Sequence, residues 1–185
     1  TQFASSAASD VYKRQSMNLE ALNCGVVAGI MKSGNPDVNM VSAPVIALER
    51  GIQISTTNQN KSGVFDAYIK VTVVTLKRER SVAGTVFSDR KPRFIQIKGI
   101  NVDAEIGSHM LYTTNTDVPG IIGLLGSIMG RHGVNIANFT LGRADAGGEA
   151  IALLNVDEAI KDNVLADLSA TGKFSQVSRL EFDVL

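Results

Sequence analysis

The order of elements predicted for residues 109–184 constrains this chain more than any other feature. Alternating apolar and polar residues predict four strands, at residues 109–116, 135–143, 149–156 and 174–184. Apolar residues at helical spacing predict two helices, at residues 119–133 and 159–170. The order strand, helix, strand, strand, helix, strand is that of the ferredoxin-like split βαβ fold. Because each helical crossover is right-handed, we expect both helices on one face of a four-stranded antiparallel sheet.

Such a sheet has a second face and two edges that its own helices do not cover. The outward positions of the predicted strands are partly apolar. Dimerisation, edge-to-edge pairing of sheets or docking on a neighbouring domain are the usual ways to cover them. We therefore expect a homo-oligomer.

Residues 16–106 carry a different pattern. Apolar residues at helical spacing predict one helix from Ser16 to Ser33, and Pro44 begins a second, short helix that ends at Gly51. β-branched residues at period two predict strands at residues 52–56, 68–76, 81–87 and 94–97. The turn residues between these strands favour consecutive antiparallel hairpins.

These patterns predict an α+β chain with two domains. A helix-plus-antiparallel-sheet domain spans residues 16–106, and a ferredoxin-like βαββαβ domain spans residues 107–185. Residues 1–15 are rich in Ser and Ala and show neither period, so we predict that they are a tail outside the fold.

Composition excludes several classes of protein. The 185 residues are 44% hydrophobic and 19% charged, with no tract of 18 apolar residues, so neither a disordered chain nor a membrane span is expected. The single cysteine, Cys24, excludes an internal disulfide framework and a cysteine-built zinc site, and we predict no metal site. The N-terminus lacks the pattern of a secretory signal, which predicts a cytoplasmic protein.

Positive charge is concentrated in the first predicted domain. Eighteen Lys and Arg balance eighteen Asp and Glu overall, but seven basic residues and only two acidic ones lie between Lys77 and Lys98. This local excess predicts a candidate anion-binding cluster, which consists of Arg78, Arg80, Arg90, Lys91 and Arg93. The alternative is that these side chains are solvated outer positions of strands and turns. Without stacking aromatic residues between them, we do not expect nucleic acid as a partner.

A second candidate site lies where the first strand of the βαββαβ domain leads into its first helix. Pro119 and Gly120 suit a helix start that a ligand approaches closely, and the free N–H groups of the first turn attract a carboxylate. Asp117 is placed to hold an ammonium group, and Asn115 points to the same side of the strand. Asn135 follows the helix, and we expect it to return to the same end. Alternatively, Asp117 is a helix N-cap, Asn115 an exposed strand residue and Asn135 part of a helix exit.

Several motifs carry a resemblance to known domains. Asp-Val-Pro-Gly at 117–120, Gly-Val-Asn-Ile-Ala at 133–137, and Leu-Gly-Arg at 141–143 with Gly-Gly-Glu-Ala-Ile at 147–151 resemble an ACT domain, an amino-acid-sensing module. Upstream, NMVSAPVIALERGI at 39–52, VAGTVF at 82–87 and residues 93–102 resemble the intervening domain of the long-form D-3-phosphoglycerate dehydrogenases. The combined resemblance covers about residues 17–185, and the order of the two domains is more specific than either motif set.

The resemblance implies an NAD-dependent enzyme of serine biosynthesis that oxidises 3-phosphoglycerate, with L-serine as a feedback inhibitor at ACT interfaces. It implies that Asn115, Asp117 and Asn135 contact the effector, the same three residues that the sequence brings together. It also implies that an intervening domain can hold a second anionic effector, for which the basic cluster is the candidate.

The chain departs from the family in its catalytic half. It has no Gly-x-Gly-x-x-Gly motif after a strand and no positioned acid-base histidine, so we predict no catalytic residue, no bound cofactor and no turnover by this chain alone. NAD is expected only for the full-length enzyme. We further expect the intervening domain to lack its N-terminal part and the ACT domains to join chains into a homo-oligomer.

Three alternatives of different classes stay open. The same pair of domains resembles the regulatory part of an iron-sulfur L-serine dehydratase, although the cysteines of its cluster are absent from this chain. A purely structural assembly module would associate without binding amino acids. A nucleic-acid binder would lose affinity steeply as salt is added.

Overall fold

The computed structural model describes residues 6–12, 19–32, 34–59, 65 and 67–183, and the chain divides into two compact units between Val86 and Phe87. Both units combine helices with antiparallel strands, which confirms the predicted α+β class. Because the second unit begins at Phe87, the predicted domain boundary at 106/107 falls inside it.

In the residues that the structure describes, the first unit has two helices and four strands. Helix α1 spans Leu19–Lys32 and α2 spans Ala43–Glu49; strands β1 to β4 span Ser6–Tyr12, Gln53–Gln59, Tyr68–Val74 and Glu79–Val86. The strands lie in the order β2-β1-β3-β4, with β1 parallel to β2 and antiparallel to β3. Small side chains such as Ala28, Ala43 and Ala47 let α1 and α2 approach closely over a buried cluster that includes Met31 and Val38.

The two helices and four strands predicted between residues 16 and 97 are confirmed as α1, α2, β2, β3, β4 and the strand Pro92–Ile97. Two other predictions for the N-terminal part of the chain are wrong. Residues 1–15 are not wholly outside the fold, because Ser6–Tyr12 forms a strand. Strands β2 and β3 do not form a hairpin, because β1 lies between them and pairs with both. Ser6–Tyr12 has little β propensity of its own, and its two neighbouring strands provide the backbone partners that make it a strand.

The second unit contains the predicted βαββαβ element. Its strands and helices are β7 (His109–Thr116), α3 (Ile121–Arg131), β8 (Ile136–Arg143), β9 (Glu149–Val156), α4 (Asp162–Ala170) and β10 (Phe174–Glu181). The sheet order is β10-β7-β9-β8 and all neighbouring strands are antiparallel. This order confirms the predicted ferredoxin-like topology.

Both faces of the two central strands are buried. Leu111, Ala152 and Leu154 pack beneath α3 and α4, whereas the alternate residues Met110, Tyr112, Ile151 and Leu153 form a second cluster on the opposite face. The alternation follows from the period-two geometry of a strand. A cover on the second face is therefore part of this fold.

That cover is a hairpin that precedes β7. Strands β5 (Pro92–Ile97) and β6 (Ile100–Glu105) join through Lys98 and Gly99, both of which have positive φ. Ile100 and Ala104 are buried in the second cluster. The Asn155 Nδ2 donates a hydrogen bond of 3.1 Å to the Glu105 carbonyl, and Lys98 forms an ion pair with Glu149. Docking of an adjacent segment, one of the three expected solutions, covers this face.

Candidate functional site

A cavity of about 360 Å³ lies at the junction of β7 and α3. Four of the predicted effector residues line it, namely Asn115, Asp117, Pro119 and Gly120. The remaining lining residues are Val118, Ile121, Ile122, Gly123, Leu141, Arg143 and Ala150. The structure thus brings most of the predicted site together within the second unit.

The backbone of the junction leaves the start of α3 open toward the cavity. The N-cap is Gly120 with φ of 91°, a left-handed conformation that favours glycine, and none of the described side chains caps this helix. The Asp117 N–H is instead held by the Gly148 carbonyl at 2.8 Å. The interpretation of Asp117 as the N-cap is therefore wrong. The first-turn N–H groups of α3 have no acceptor inside the helix and favour an anionic group beside them.

Asn115 supplies a buried acceptor that none of the described residues uses. Its residue is 4% exposed, and its Nδ2 donates to the Thr116 carbonyl at 2.7 Å. This bond fixes the amide orientation, so that Oδ1 is the other atom. Asn115 Oδ1 is buried with no hydrogen-bond partner among the described residues. A buried acceptor without a donor is costly, and a ligand N–H group would satisfy it.

Asp117 is paired with a residue that the sequence prediction missed. Asp117 Oδ2 lies 3.1 Å from Arg143 Nη1, and both residues line the cavity. The Arg143 side chain is 60% exposed and that of Asp117 is 23% exposed. Two features of the sequence identify Arg143. It lies in the Leu-Gly-Arg motif, and it ends β8. Because β7 and β8 run in the same direction, the ends of both strands lie at the same end of the sheet.

Apolar side chains surround the mouth of the cavity. Val118, Ile122 and Leu141 are 45%, 55% and 41% exposed. They are the exposed large apolar residues of the second unit, as far as the structure describes it. We call these three residues the apolar rim. Exposed apolar residues grouped around a cavity mark a binding or association surface more often than scattered ones do.

Asn135 lies away from this cavity. It precedes β8, whereas Arg143 ends the same strand, so the two residues are at opposite ends of the sheet. Asn135 Nδ2 donates to Asp157 Oδ2 at 2.6 Å. The expectation that Asn135 returns to the end where Asn115 and Asp117 lie is wrong within one chain.

The predicted anion cluster divides between the two units. Arg78 and Arg80 belong to the first unit, where Arg80 Nη1 donates to the Glu79 carbonyl at 3.1 Å. Arg90, Lys91 and Arg93 belong to the second unit, and Arg90 occupies a turn with φ of 64°.

Carboxylates surround two members of this cluster. Lys91 Nζ lies 2.6 Å from Glu105, and the Arg93 guanidinium lies within 4 Å of Asp89, Asp103 and Glu105. The pKa of Asp89 is lowered, chiefly because the Lys91 backbone N–H donates to its carboxylate and also because Arg93 lies beside it. The pKa of Arg93 is raised, chiefly by its hydrogen bond to Asp89. An anion bound here would compete with three carboxylates.

The described residues contain neither a cluster of metal ligands nor a membrane-spanning helix. No group of three or more His, Cys, Asp or Glu side chains in that part of the chain is arranged to hold a metal ion. Within the same residues, every helix is too short or too polar to cross a membrane.

Comparison with known proteins connects these observations to a family. The D-3-phosphoglycerate dehydrogenase intervening domain matches residues 13–98. D-3-phosphoglycerate dehydrogenase of Bacillus subtilis is 33% identical over 132 residues, or 71% of this chain. The chain belongs to the D-3-phosphoglycerate dehydrogenase family. The D-3-phosphoglycerate dehydrogenase of Methanocaldococcus jannaschii is 30% identical over 83% of the chain, and that of Synechocystis is 28% identical over 82%.

This chain spans only part of the dehydrogenases it matches. The aligned segments make up 25%, 28% and 28% of the Bacillus, Synechocystis and Methanocaldococcus proteins. The match to the intervening domain ends at residue 98, in the turn between β5 and β6. Because the alignments with the dehydrogenases cover most of the chain, they extend beyond that domain into the βαββαβ element that carries the cavity.

Proposed function

We propose that this chain is the regulatory, L-serine-binding and oligomerisation portion of an NAD-dependent D-3-phosphoglycerate dehydrogenase. Its relatives are dehydrogenases by name, and the chain is similar to about a quarter of each. We expect the oxidoreductase step, and the NAD that it uses, to reside outside these 185 residues. Regulation would then consist of an amino acid that binds the βαββαβ element and biases the catalytic part through it.

The buried, unpartnered Oδ1 of Asn115 carries this proposal. An α-amino acid offers an ammonium group, which would donate to Asn115 Oδ1 and pair with the carboxylate of Asp117. Its carboxylate would lie against the free N–H groups at the start of α3. The cavity of about 360 Å³ exceeds the needs of a ligand with the size of serine, which leaves room for a second protein surface over the ligand.

A second copy of this chain is the proposed source of that surface. The apolar rim surrounds the cavity, and β8 is an edge strand of the sheet order β10-β7-β9-β8. An edge strand with exposed apolar neighbours favours association. Since Asn135 lies at the far end of β8, it would reach the effector only from the second copy, if two β8 strands run antiparallel across the interface. This arrangement keeps Asn135 in the proposed site.

Calorimetric titration of the chain with L-serine tests the proposal. Serine has seven heavy atoms, and a ceiling of roughly 1.5 kcal/mol per atom makes micromolar affinity the expected range. D-serine and glycine are the ligand controls. We expect the chain to bind L-serine stereoselectively. A purely structural assembly module, the alternative, would give no heat of binding.

Asp117→Ala is expected to weaken L-serine binding by about 2 kcal/mol, or roughly 30-fold, because it removes the ionic partner of the ammonium group. Asp183→Ala, which changes an exposed carboxylate beyond β10, is the matched control. Unchanged serine affinity in Asp117→Ala would place the amino acid elsewhere.

Leu141→Glu is expected to raise the dissociation constant for self-association at least tenfold, because it places a charge on the apolar rim beside the β8 edge. Sedimentation velocity over a range of protein concentrations measures this constant. Gln176→Glu adds the same charge on β10, the opposite edge strand, and is expected to leave association unchanged. If both variants associate like the parent chain, β8 is not the interface.

A further inference from the structure

Arg143 gives the cavity a feature that a simple ammonium site would not need. Its guanidinium lies 3.1 Å from Asp117 Oδ2, so the carboxylate that would hold a ligand ammonium is already paired with a cation of the protein. A positively charged ligand on Asp117 must either share this carboxylate with Arg143, through its second oxygen, or take the place of Arg143 on it. Arg143 therefore competes with the ligand inside the site.

The cost of this competition depends on which anionic group is left for the Arg143 guanidinium. A ligand with an ammonium group alone would place a second cation on the carboxylate of Asp117, or would take that carboxylate from the guanidinium. A ligand with an ammonium and a carboxylate would return a carboxylate to Arg143, which also lines the cavity. One ion pair is then exchanged for two, and the charges in the site remain balanced.

The geometry allows such an exchange. The Arg143 side chain is 60% exposed, and exposed ion pairs contribute little to stability, so the pair with Asp117 separates easily. Asn115, which lines the cavity, carries a buried acceptor whose position does not depend on Arg143. The Asn115 acceptor is thus buried, whereas the Arg143 side chain is largely exposed.

We propose that Arg143 is a specificity-determining residue that makes this cavity prefer zwitterionic α-amino acids, because it pairs with the carboxylate of the ligand in exchange for that of Asp117. The inference rests on the proposed amino-acid site and adds to it the chemical basis of selection. Amines of the same size bind less tightly because they compete with Arg143 for Asp117 and offer it no carboxylate. Carboxylic acids without an amine bind less tightly because they place a second carboxylate beside Asp117 and offer no donor to Asn115 Oδ1.

The test compares L-serine with ethanolamine, which is serine without its carboxylate. NMR titration of the isotope-labelled chain measures both dissociation constants into the millimolar range. Arg143→Met removes the charge and the donors but keeps an unbranched aliphatic side chain. Arg131→Met makes the same change at an exposed position in the last turn of α3, away from the cavity, and serves as control.

We expect Arg143→Met to bind ethanolamine at least threefold more tightly than the parent chain, because the competing cation is gone. The same variant should bind serine less tightly, so that the preference for serine over ethanolamine falls at least tenfold. Arg131→Met should keep the parental values for both ligands.

Two negative outcomes are distinguishable. If serine binds the parent chain but ethanolamine does not bind Arg143→Met more tightly, the exchange is overturned and the amino-acid site stands. If serine binds none of the chains, the proposed function fails and the role of Arg143 fails with it.

Discussion

Asn115→Leu is expected to weaken serine binding roughly 30-fold or more without lowering the stability of the unliganded chain. The substitution removes the buried Oδ1 that would accept a hydrogen bond from the ligand ammonium. A hydrogen bond to a charged group contributes about 2 kcal/mol, so the affinity should fall roughly 30-fold or more. Leucine also fills the cavity floor with an apolar group where the ligand requires a polar one.

Whereas the serine affinity falls, the free energy of unfolding of the Asn115→Leu chain should rise or stay the same. Asn115 is 4% exposed, and its unpartnered oxygen costs about 1–3 kcal/mol in the free chain. Leucine removes that cost and adds buried apolar surface, while the lost hydrogen bond to Thr116 offsets about 1 kcal/mol. Since Thr116 is exposed, water can replace the lost donor at its carbonyl. The expected free energy of unfolding is equal to or above that of the parent chain.

Thr113→Val provides the matched control. Thr113 lies two residues earlier on the same face of β7, is 0% exposed, and also has a buried side-chain oxygen without a partner among the described residues. It does not line the cavity. Valine has almost the same shape, so this variant should gain stability by about 1 kcal/mol and keep its serine affinity. Urea denaturation and calorimetric titration of both variants separate the two effects. An Asn115→Leu chain that is destabilised by 2 kcal/mol and still binds serine would make Asn115 a purely structural residue.

The sequence was sufficient to predict the junction of β7 and α3 because its signals are local. A strand that ends in polar residues, followed by Pro119 and Gly120, specifies a helix start whose N–H groups face outward. Asn115 and Asp117 lie within this same segment, so no distant contact was needed to place them. The cavity in the structure is built around these four residues.

Strand direction explains why Arg143 lies in the cavity and Asn135 does not. In a βαβ unit both strands run the same way, so the end of β8 lies at the same end of the sheet as the end of β7, with β9 between them, and the start of β8 lies at the opposite end. Arg143 ends β8 and lines the cavity, whereas Asn135 precedes β8 and does not. The predicted topology already contained this information, and the error came from the assumption that a residue after the helix returns to its start.

The position of the β5–β6 hairpin was not predictable from period alone. Its residues alternate like those of any two-sided strand, and nothing in the alternation identifies the surface that they cover. Burial of Ile100 and Ala104 against Tyr112 and Leu153 is a contact between segments that a local pattern does not encode. The sequence does contain one sign of this contact. Gly142 is a buried glycine at the next-to-last position of β8.

Gly142→Ala is expected to destabilise the second unit by about 2–3 kcal/mol, because the docked hairpin leaves no space for a side chain. A Cβ atom at this position would lie 2.5 Å from the Asn101 carbonyl oxygen and 2.6 Å from Val102 Cγ1. The first of these is a backbone atom, which cannot rotate away, so β6 itself must move from β8. Overpacking of this kind in a close-packed core costs about 1–3 kcal/mol.

Gly126→Ala is the opposite case and serves as control. Gly126 lies in the interior of α3, and a Cβ atom there meets nothing within 4 Å. Alanine should therefore stabilise the chain by about 0.5–1 kcal/mol, because it lowers the conformational entropy of the unfolded chain and favours the helix. The same chemical change is thus expected to have opposite signs at the two positions. Equal effects of the two substitutions on the denaturation midpoint would mean that β6 does not pack against β8 as described.

The substitution at Gly142 should also weaken amino-acid binding, because its two neighbours in sequence, Leu141 and Arg143, line the cavity. A shift of β8 away from β6 moves the Arg143 guanidinium relative to Asp117 Oδ2, and a change of 1 Å is enough to break their contact of 3.1 Å. The effect on serine affinity should exceed that of Gly126→Ala even where both chains are fully folded. The hairpin would then be more than a cover for the sheet, since its docking against Gly142 sets the position of the residues that meet the ligand.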